Sequence, residues 1–194
     1  MMPALRRFTE VDGLISMPRS ATYPLTLADR CGGEFTARCY VPEDRAELEA
    51  MYEDFEPKRR AQGLPPEGAD QLRRWLDRVL AQGVHLVVTV EGRIQGHVML
   101  IPLDSEVVEL ANFLHQSIRG RGIGTIMNRL IVEEARAQGY RRVWLSVEPS
   151  NRAALRSYRS AGFQLLPGSM WAQEVEMALD LTPETTVSDD ETRP

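Results

Sequence analysis

The sequence predicts a single α/β domain with a mixed, mostly antiparallel central sheet flanked by helices. The first observation is that apolar runs with the period of strands alternate with segments whose apolar residues recur at helical spacing. The second is Glu91-Gly92, a tight-turn signal between two strand-like runs, so hairpins accompany strand–helix–strand units. The third is composition: 194 residues, 43% apolar and 26% charged, suit one ordinary core.

Each element is marked by its spacing of apolar residues and by the residues that end it. Strands are predicted over 35–41, 84–90, 94–101, 106–114, 143–147, 163–166 and 170–179. Helices are predicted between Asp44 and Pro57, over 72–80, over 123–135 and over 151–161, with Gly83, Gly139 and Gly162 as stops. Asp44 and Glu47 have the spacing of a capping box, which predicts reciprocal hydrogen bonds at the start of the first helix.

The two ends of the chain differ from its middle. Residues 1–32 contain three prolines and the pair Gly32-Gly33 without a clear period, which predicts an N-terminal arm. Residues 182–194 are acidic and hold one large apolar residue, Val187, so burial cannot offset the entropy of ordering them. We therefore expect a folded domain over 33–181 and a disordered acidic tail after it.

Composition and charge disfavour several classes of function. The net charge of −5, from 23 basic and 28 acidic residues, argues against nucleic acid as a partner. Cys31 and Cys39 form no CxxC pair and have no histidine cluster nearby, which predicts free thiols and neither a metal site nor a disulfide. No stretch approaches the roughly 18 apolar residues of a membrane span, and no secretory signal is recognisable. A soluble cytoplasmic protein without a membrane partner is expected.

The glycine-rich turn after the 106–114 strand carries the first functional signal. Gly120, Gly122 and Gly124 alternate just before a predicted helix, which leaves backbone N–H groups accessible to a ligand. The helix N-terminus adds its dipole, and Arg119 and Arg121 add positive charge, so the turn suits a phosphate or pyrophosphate. It matches neither the P-loop pattern GxxxxGK(S/T) nor the dinucleotide pattern GxGxxG. The alternative is a flexible loop that only turns the chain.

A second pattern lies in the last predicted helix. Asn151 and Tyr158 are seven residues apart, so at about 100° per residue they share one stripe of the helix, roughly two turns apart. Taken alone, the pattern fits an N-cap asparagine and a half-buried core tyrosine as well as it fits a binding surface. Together with the glycine turn it is more specific.

The two patterns in this order resemble the motifs of the GNAT N-acetyltransferase superfamily. The first reads Arg119-x-x-Gly122-x-Gly124, and about thirty residues later the second reads Asn151-x-x-Ala154-x-x-x-Tyr158-x-x-x-Gly162-Phe163. The similarity covers roughly residues 35–181. It implies a GNAT-like fold, acetyl-coenzyme A (acetyl-CoA) as the cofactor, and transfer of an acetyl group to an amine acceptor.

The resemblance also implies a role for each site residue. The pyrophosphate is expected on the turn formed by Arg119, Gly120, Arg121, Gly122, Ile123, Gly124 and Thr125. The pantetheine arm is expected along Phe113, Leu114 and His115, in a gap where the central strand splays from 143–147, with Asn151 contacting it. Tyr158 is the expected proton donor to the CoA thiolate. Glu109 is the candidate general base, directly or through water, and an ion-paired strand residue is the alternative for it.

The acceptor is expected between the first helices and the last strands. The residues concerned are Tyr52, Phe55, Glu56, Lys58, Arg59, Arg60 and Gln62 on one side and Met170, Trp171 and Gln173 on the other. A small-molecule amine and a protein lysine both remain candidates, because residues 23–44 have a short similarity to bacterial protein-lysine acetyltransferases of the same group.

Two other classes of function remain open. One is a catalytically silent acyl-CoA-binding regulatory module with the same fold. The other is an unrelated nucleotide-binding protein that uses the glycine turn, and preferential stabilisation by ATP or NAD over acetyl-CoA would favour it. An exposed sheet edge also permits a homodimer.

Overall fold

The structure of this chain is a computed structural model that describes residues 23–59, 63–168 and 174–181. Its helices are α1 (Arg45–Glu53), α2 (Ala69–Val79), α3 (Ile123–Ala137) and α4 (Arg152–Ser160). Its strands are β1 (Leu25–Ala28), β2 (Glu34–Cys39), β3 (Val84–Val90), β4 (Arg93–Pro102), β5 (Val107–Leu114), β6 (Arg142–Val147), β7 (Gln164–Leu165) and β8 (Val175–Asp180). The predicted strands and helices are all present, although several of their ends differ.

The eight described strands form one sheet, in the order β1-β2-β3-β4-β5-β6-β8-β7. Neighbouring strands pair antiparallel except β5 and β6, which run parallel because the connection through α3 returns the chain to the same end of the sheet. The prediction of a mixed, mostly antiparallel sheet is therefore confirmed.

Helices cover both faces of this sheet. On one face, α3 and α4 pack over a core that includes Met127 and Ile131. On the other face, α1 and α2 bury an aromatic cluster in which Tyr52, Trp75 and Phe113 meet edge to face. Successive side chains of β5 contribute to opposite layers, since the side chains of a strand alternate between its two faces.

The N-terminal region contains a strand that the sequence prediction missed. Leu25–Ala28 pair antiparallel with β2, and Leu27 is buried, so the arm predicted to run through residue 32 is partly sheet. The run has only four residues, of which two are large and apolar, and this is too short a pattern to predict a strand. Residues 1–22 of the predicted arm and the whole of the predicted tail, residues 182–194, lie outside the described residues.

The predicted capping box is wrong. The Asp44 carboxylate accepts hydrogen bonds from the Arg38 guanidinium, at 2.6 and 2.7 Å, and from Val41 N–H at 2.9 Å. Glu47 Oε1 accepts from Ile94 N–H at 2.8 Å, on β4. The reason is that Asp44 ends a short 3-10 turn in a helical conformation, whereas a capping residue has an extended one.

Two further findings concern only the described ranges. They include no helix that is both long and apolar enough to cross a membrane. They also include no group of three or more His, Cys, Asp or Glu side chains placed to hold a metal ion.

Candidate active site

The central strand β5 separates from β6 partway along its length. Within the described strands the pairing with β6 ends at Glu109. His115 N–H donates to Gln95 O at 2.9 Å on the β4 side. The main-chain groups of successive β5 residues point alternately to the two neighbouring strands. Those of Asn112 and Leu114 therefore face away from β4, towards the side that has opened. The gap therefore presents backbone hydrogen-bonding groups to whatever enters it.

A cavity of about 730 Å³ opens at this gap. Of the residues predicted for the site, it brings together Phe113, Leu114, Arg119, Gly120, Gly122, Ile123, Gly124, Thr125, Asn151 and Tyr158. Its walls also include residues that the sequence analysis did not predict to bind the cofactor, namely Arg30, Phe55, Asn112, Asn128 and Ser157. The two sequence motifs thus face each other across one space.

The glycine turn forms part of the cavity wall. Gly120 and Gly122 have φ of 78° and 82°, in the left-handed region that favours glycine. Gly122 is the N-cap of α3, so the first-turn N–H groups of Ile123 and Gly124 have no acceptor within the helix. These N–H groups and the positive end of the helix dipole make this end attractive to an anion.

Arg119 lies across the mouth of the cavity. Its Nε donates to Leu114 O at 3.0 Å, and its guanidinium carbon is 5.0 Å from the centre of the Phe55 ring. The side chain is thereby held between the end of β5 and the segment after α1, with its positive charge at the glycine turn.

The side chain of Arg121 points away from the cavity, contrary to its predicted contact with a phosphate. It forms an ion pair with Asp29, which also accepts hydrogen bonds from Cys31 N–H and Gly33 N–H. Burial alone would raise the pKa of Asp29, but these hydrogen bonds and the guanidinium hold it below its usual value. Arg121 therefore ties the turn after β1 to the glycine turn.

His115, which was expected along the pantetheine arm, also lies outside the cavity, and its side chain is buried. Its Nδ1 is 2.8 Å from Ser117 Oγ, and its Nε2 is 3.1 Å from Asp54 Oδ2. The ring therefore connects the end of β5 to the end of α1 through its contact with Asp54, and it does not flank the gap.

Asn151 and Tyr158 reach the cavity from α4. Asn151 is the N-cap of this helix, since its side-chain oxygen accepts from Ala154 N–H at 3.2 Å. Tyr158 is 7% exposed and packs against Phe163 with ring centres 5.8 Å apart. Burial raises the pKa of Tyr158 to about 12, so the phenol stays protonated at neutral pH.

Glu109 does not line this cavity; it lies where β5 and β6 separate, on the same face of β5 as Phe113. Partial burial raises its pKa, and the nearby carboxylate of Glu174 raises it further. Glu174 itself accepts a hydrogen bond from Ser146 Oγ on β6. The point where the strands separate therefore carries a carboxyl group whose pKa is raised.

Arg30 is a cavity residue that the sequence analysis missed. Its N–H donates to Arg121 O at 2.9 Å, and its side chain covers Gly122, where an added Cβ would lie 2.7 Å from Arg30 Cγ. The residue is adjacent in sequence to Asp29, whose partner is 92 residues away. No local pattern could have revealed this contact.

The predicted acceptor side is only partly described, since Arg60, Gln62, Met170, Trp171 and Gln173 lie outside the described residues. Phe55 lines the cavity, but Tyr52 is fully buried behind it. Lys58 Nζ donates to the carbonyl oxygens of Tyr52 and Glu53, at 2.7 and 2.6 Å, so it caps the end of α1. The structure therefore shows Lys58 in a structural role, whereas the sequence analysis expected it in the acceptor pocket.

Comparison with known proteins shows the family and the fold of this chain. Residues 48–163 match the model of the acetyltransferase (GNAT) family. An uncharacterised N-acetyltransferase of Mycobacterium bovis is 36% identical over 76 residues, which is 39% of this chain and 49% of that protein. The matching region thus spans about half the length of the curated relative.

Solved structures share the fold. The GNAT domain of S. lividans PAT has a TM-score of 0.69 and 22% identity, over 81% of this chain and 97% of that one. A putative acetyltransferase, yncA, from Salmonella typhimurium was solved with its cofactor acetyl-CoA, with a TM-score of 0.62 and 22% identity over 78% of this chain and 96% of that one.

Proposed function

Because this chain belongs to the acetyltransferase (GNAT) family, we propose that it moves the acetyl group of acetyl-CoA to a primary amine by direct attack in a ternary complex. Acetyl-CoA-dependent acyl transfer follows from the family; the direct attack and the residues below are the proposal. The observation that carries it is the gap between β5 and β6, whose backbone groups lead directly to the glycine turn at the start of α3.

The polar groups of the described residues fit those of acetyl-CoA. The N-terminus of α3 and Arg119 would hold the diphosphate, because they provide N–H donors and positive charge at one end of the cavity. Asn112 would hold the arm through its main-chain N–H and C=O groups, and Leu114 through its N–H, since Leu114 O already accepts from Arg119 Nε. The Salmonella typhimurium relative with the same fold was solved with acetyl-CoA, which supports this cofactor here.

Acetyl-CoA supplies the acyl group as an activated thioester. An alkyl amine has a pKa of about 10.4 in water and must lose a proton before its nitrogen can form a bond to the acyl carbon. Glu109, at the point where the strands separate, is the proposed acceptor of that proton, directly or through water. Its raised pKa makes it a stronger base than an exposed glutamate.

Tyr158 is proposed to complete the proton balance. As the new C–N bond forms, the C–S bond breaks and the sulfur requires a proton. The buried phenol lines the cavity and is protonated at neutral pH, so it can donate that proton to the leaving thiolate. The nitrogen loses a second proton as the adduct becomes the amide. Of the two protons that the amine gives up, one restores the phenol through solvent and the other is released to solvent.

Thiol release in the presence of acetyl-CoA and a panel of amines tests the proposal. The panel contains small primary amines and peptides with one free lysine, so it also separates the two acceptor classes. We expect release above the no-amine background with at least one class. Stabilisation by acetyl-CoA without release for any amine would instead support a silent acyl-CoA-binding module. Stronger stabilisation by ATP or NAD than by acetyl-CoA would contradict the cofactor assignment.

A further inference from the structure

A chain of polar side chains, which we call the polar strip (Asn112, Asn128, Ser157 and Thr125), runs beneath the gap between β5 and β6. Asn112 Nδ2 donates to Asn128 Oδ1 at 2.8 Å, and Asn128 Nδ2 donates to Ser157 Oγ at 3.0 Å. Ser157 Oγ is also 3.1 Å from Thr125 Oγ1. Asn128 is 1% exposed within an otherwise apolar face of α3. The polar strip thus connects three elements of the cavity wall, namely β5, α3 and α4.

One atom of the polar strip has no partner among the described residues. Asn112 Oδ1 is shielded from solvent and accepts no hydrogen bond there. Exchanging the oxygen and nitrogen of both asparagine amides would leave the same position of Asn112 unsatisfied, as a donor instead of an acceptor. A shielded polar group without a partner is costly, and natural proteins contain few of them. On a residue that lines the cavity, such a group indicates a contact that a ligand completes once the Asn112 amide turns towards it.

The position of Asn112 identifies which part of the ligand it meets. Its side chain lines the cavity, and its main-chain groups open into the gap that the pantetheine arm would fill. The arm carries amide N–H groups and a hydroxyl, which are donors. The phosphates carry only acceptors, and the donors suited to them lie at the start of α3.

We propose that Asn112 Oδ1 accepts a hydrogen bond from a donor on the pantetheine arm of bound CoA, which makes the polar strip part of the cofactor site. The inference rests on the proposed function for the course of the arm. It adds a side-chain contact to the main-chain contacts of β5. Through Asn128 and Ser157 it also links the arm to α3 and α4.

The test compares two ligands on one variant. Asn112→Leu removes the acceptor and keeps a side chain of similar size, and affinities for CoA and for adenosine 3′,5′-bisphosphate are measured by calorimetry. The bisphosphate carries a nucleotide and phosphates but no arm. We expect CoA affinity to fall about 3- to 10-fold, the range of one hydrogen bond, while bisphosphate affinity stays unchanged.

A further variant controls the comparison. Tyr23→Phe removes the other shielded, unpartnered side-chain atom of the described residues, which lies outside the cavity, and is expected to change neither affinity. If the leucine variant does not fold, Asn112→Ser, whose hydroxyl is too short to reach, replaces it.

The outcomes separate this inference from the proposed function. Unchanged CoA affinity in Asn112→Leu overturns the inference and leaves the proposed function intact. Equal losses for both ligands also overturn it, since they indicate general damage to the site. Failure of the wild-type protein to bind CoA at all overturns the inference and the proposed function together.

Discussion

His97 Nε2 lies 3.0 Å from His85 Nδ1 in the protein interior, with the two rings stacked. His85 Nε2 is 2.8 Å from Gln82 O, which only accepts, so this nitrogen carries the proton. His85 Nδ1 is then an acceptor, His97 Nε2 its donor, and His97 Nδ1 accepts from the Tyr52 hydroxyl at 2.9 Å. With both histidines neutral, every donor in this hydrogen-bonded series has one acceptor, in agreement with the effect of burial, which lowers the pKa of each ring.

We expect this histidine pair to make the protein less stable below about pH 6.5. Burial lowers the pKa of His97 to about 3, with a smaller contribution from His85, whose own pKa is lowered by burial. The unfolded chain, with histidine pKa near 6.5, binds protons that the folded chain excludes, so the free energy of unfolding falls as pH falls. The slope is at most about 1.4 kcal/mol per pH unit for each histidine.

Urea denaturation between pH 5 and 7 measures this slope, in a range where most carboxylates remain ionised. The control is His97→Gln, which retains hydrogen-bonding groups without titrating. A slope equal in the variant and the wild type would show that His97 does not set the pH dependence.

Replacing the Tyr158 hydroxyl is expected to slow turnover without weakening cofactor binding. In Tyr158→Phe the leaving thiolate loses its proton donor, so kcat falls by about a hundredfold, whereas the ring still fills the same wall of the cavity. Tyr140→Phe, a change outside the cavity, is the matched control. Steady-state kinetics and acetyl-CoA titration measure the two quantities. Equal kcat in both variants would remove the role assigned to Tyr158.

The pH profile tests Glu109. Burial and then Glu174 raise its pKa, so the fraction able to accept a proton falls as pH decreases through a value above the ordinary glutamate range. We expect kcat/KM of the wild type to decline on that acidic side, and Glu109→Gln to lower kcat/KM and lose the decline. Glu106→Gln, an exposed residue paired with Arg141, serves as control. A profile with the same acidic limb in Glu109→Gln would exclude Glu109 as the base.

The elements that the sequence predicted well are those with local signals. β3 to β6 have β-branched or apolar runs that stop at turns, and the period of α3 is unbroken from Ile123 to Ala135. The glycine turn and the Asn151–Tyr158 stripe were recognisable because each motif is contiguous.

The contacts that the prediction missed join residues far apart in sequence. Arg121 was expected at the phosphate, but the carboxylate of Asp29 lies 92 residues earlier and comes within reach only when β1 joins the sheet. The polar strip likewise depends on the packing of α3 and α4 against β5. Asn128 among the apolar residues of α3 was its one local sign.

Substitution of Gly122, compared with substitution of Gly92, distinguishes backbone strain from a loss of ligand binding. Its φ of 82° disfavours any side chain, and an added Cβ would lie 2.7 Å from Arg30 Cγ, beside the donors at the start of α3. Gly92 has φ of 77°, and an added Cβ there would have no atom within 4 Å. Gly92→Ala therefore introduces backbone strain alone, which lowers the free energy of unfolding by about 1 kcal/mol. We expect Gly122→Ala to lose at least as much stability and, in addition, to bind CoA about tenfold more weakly, because Arg30 must move across the turn. Chemical denaturation and calorimetry measure the two effects, and equal CoA affinity in the two variants would place the diphosphate elsewhere.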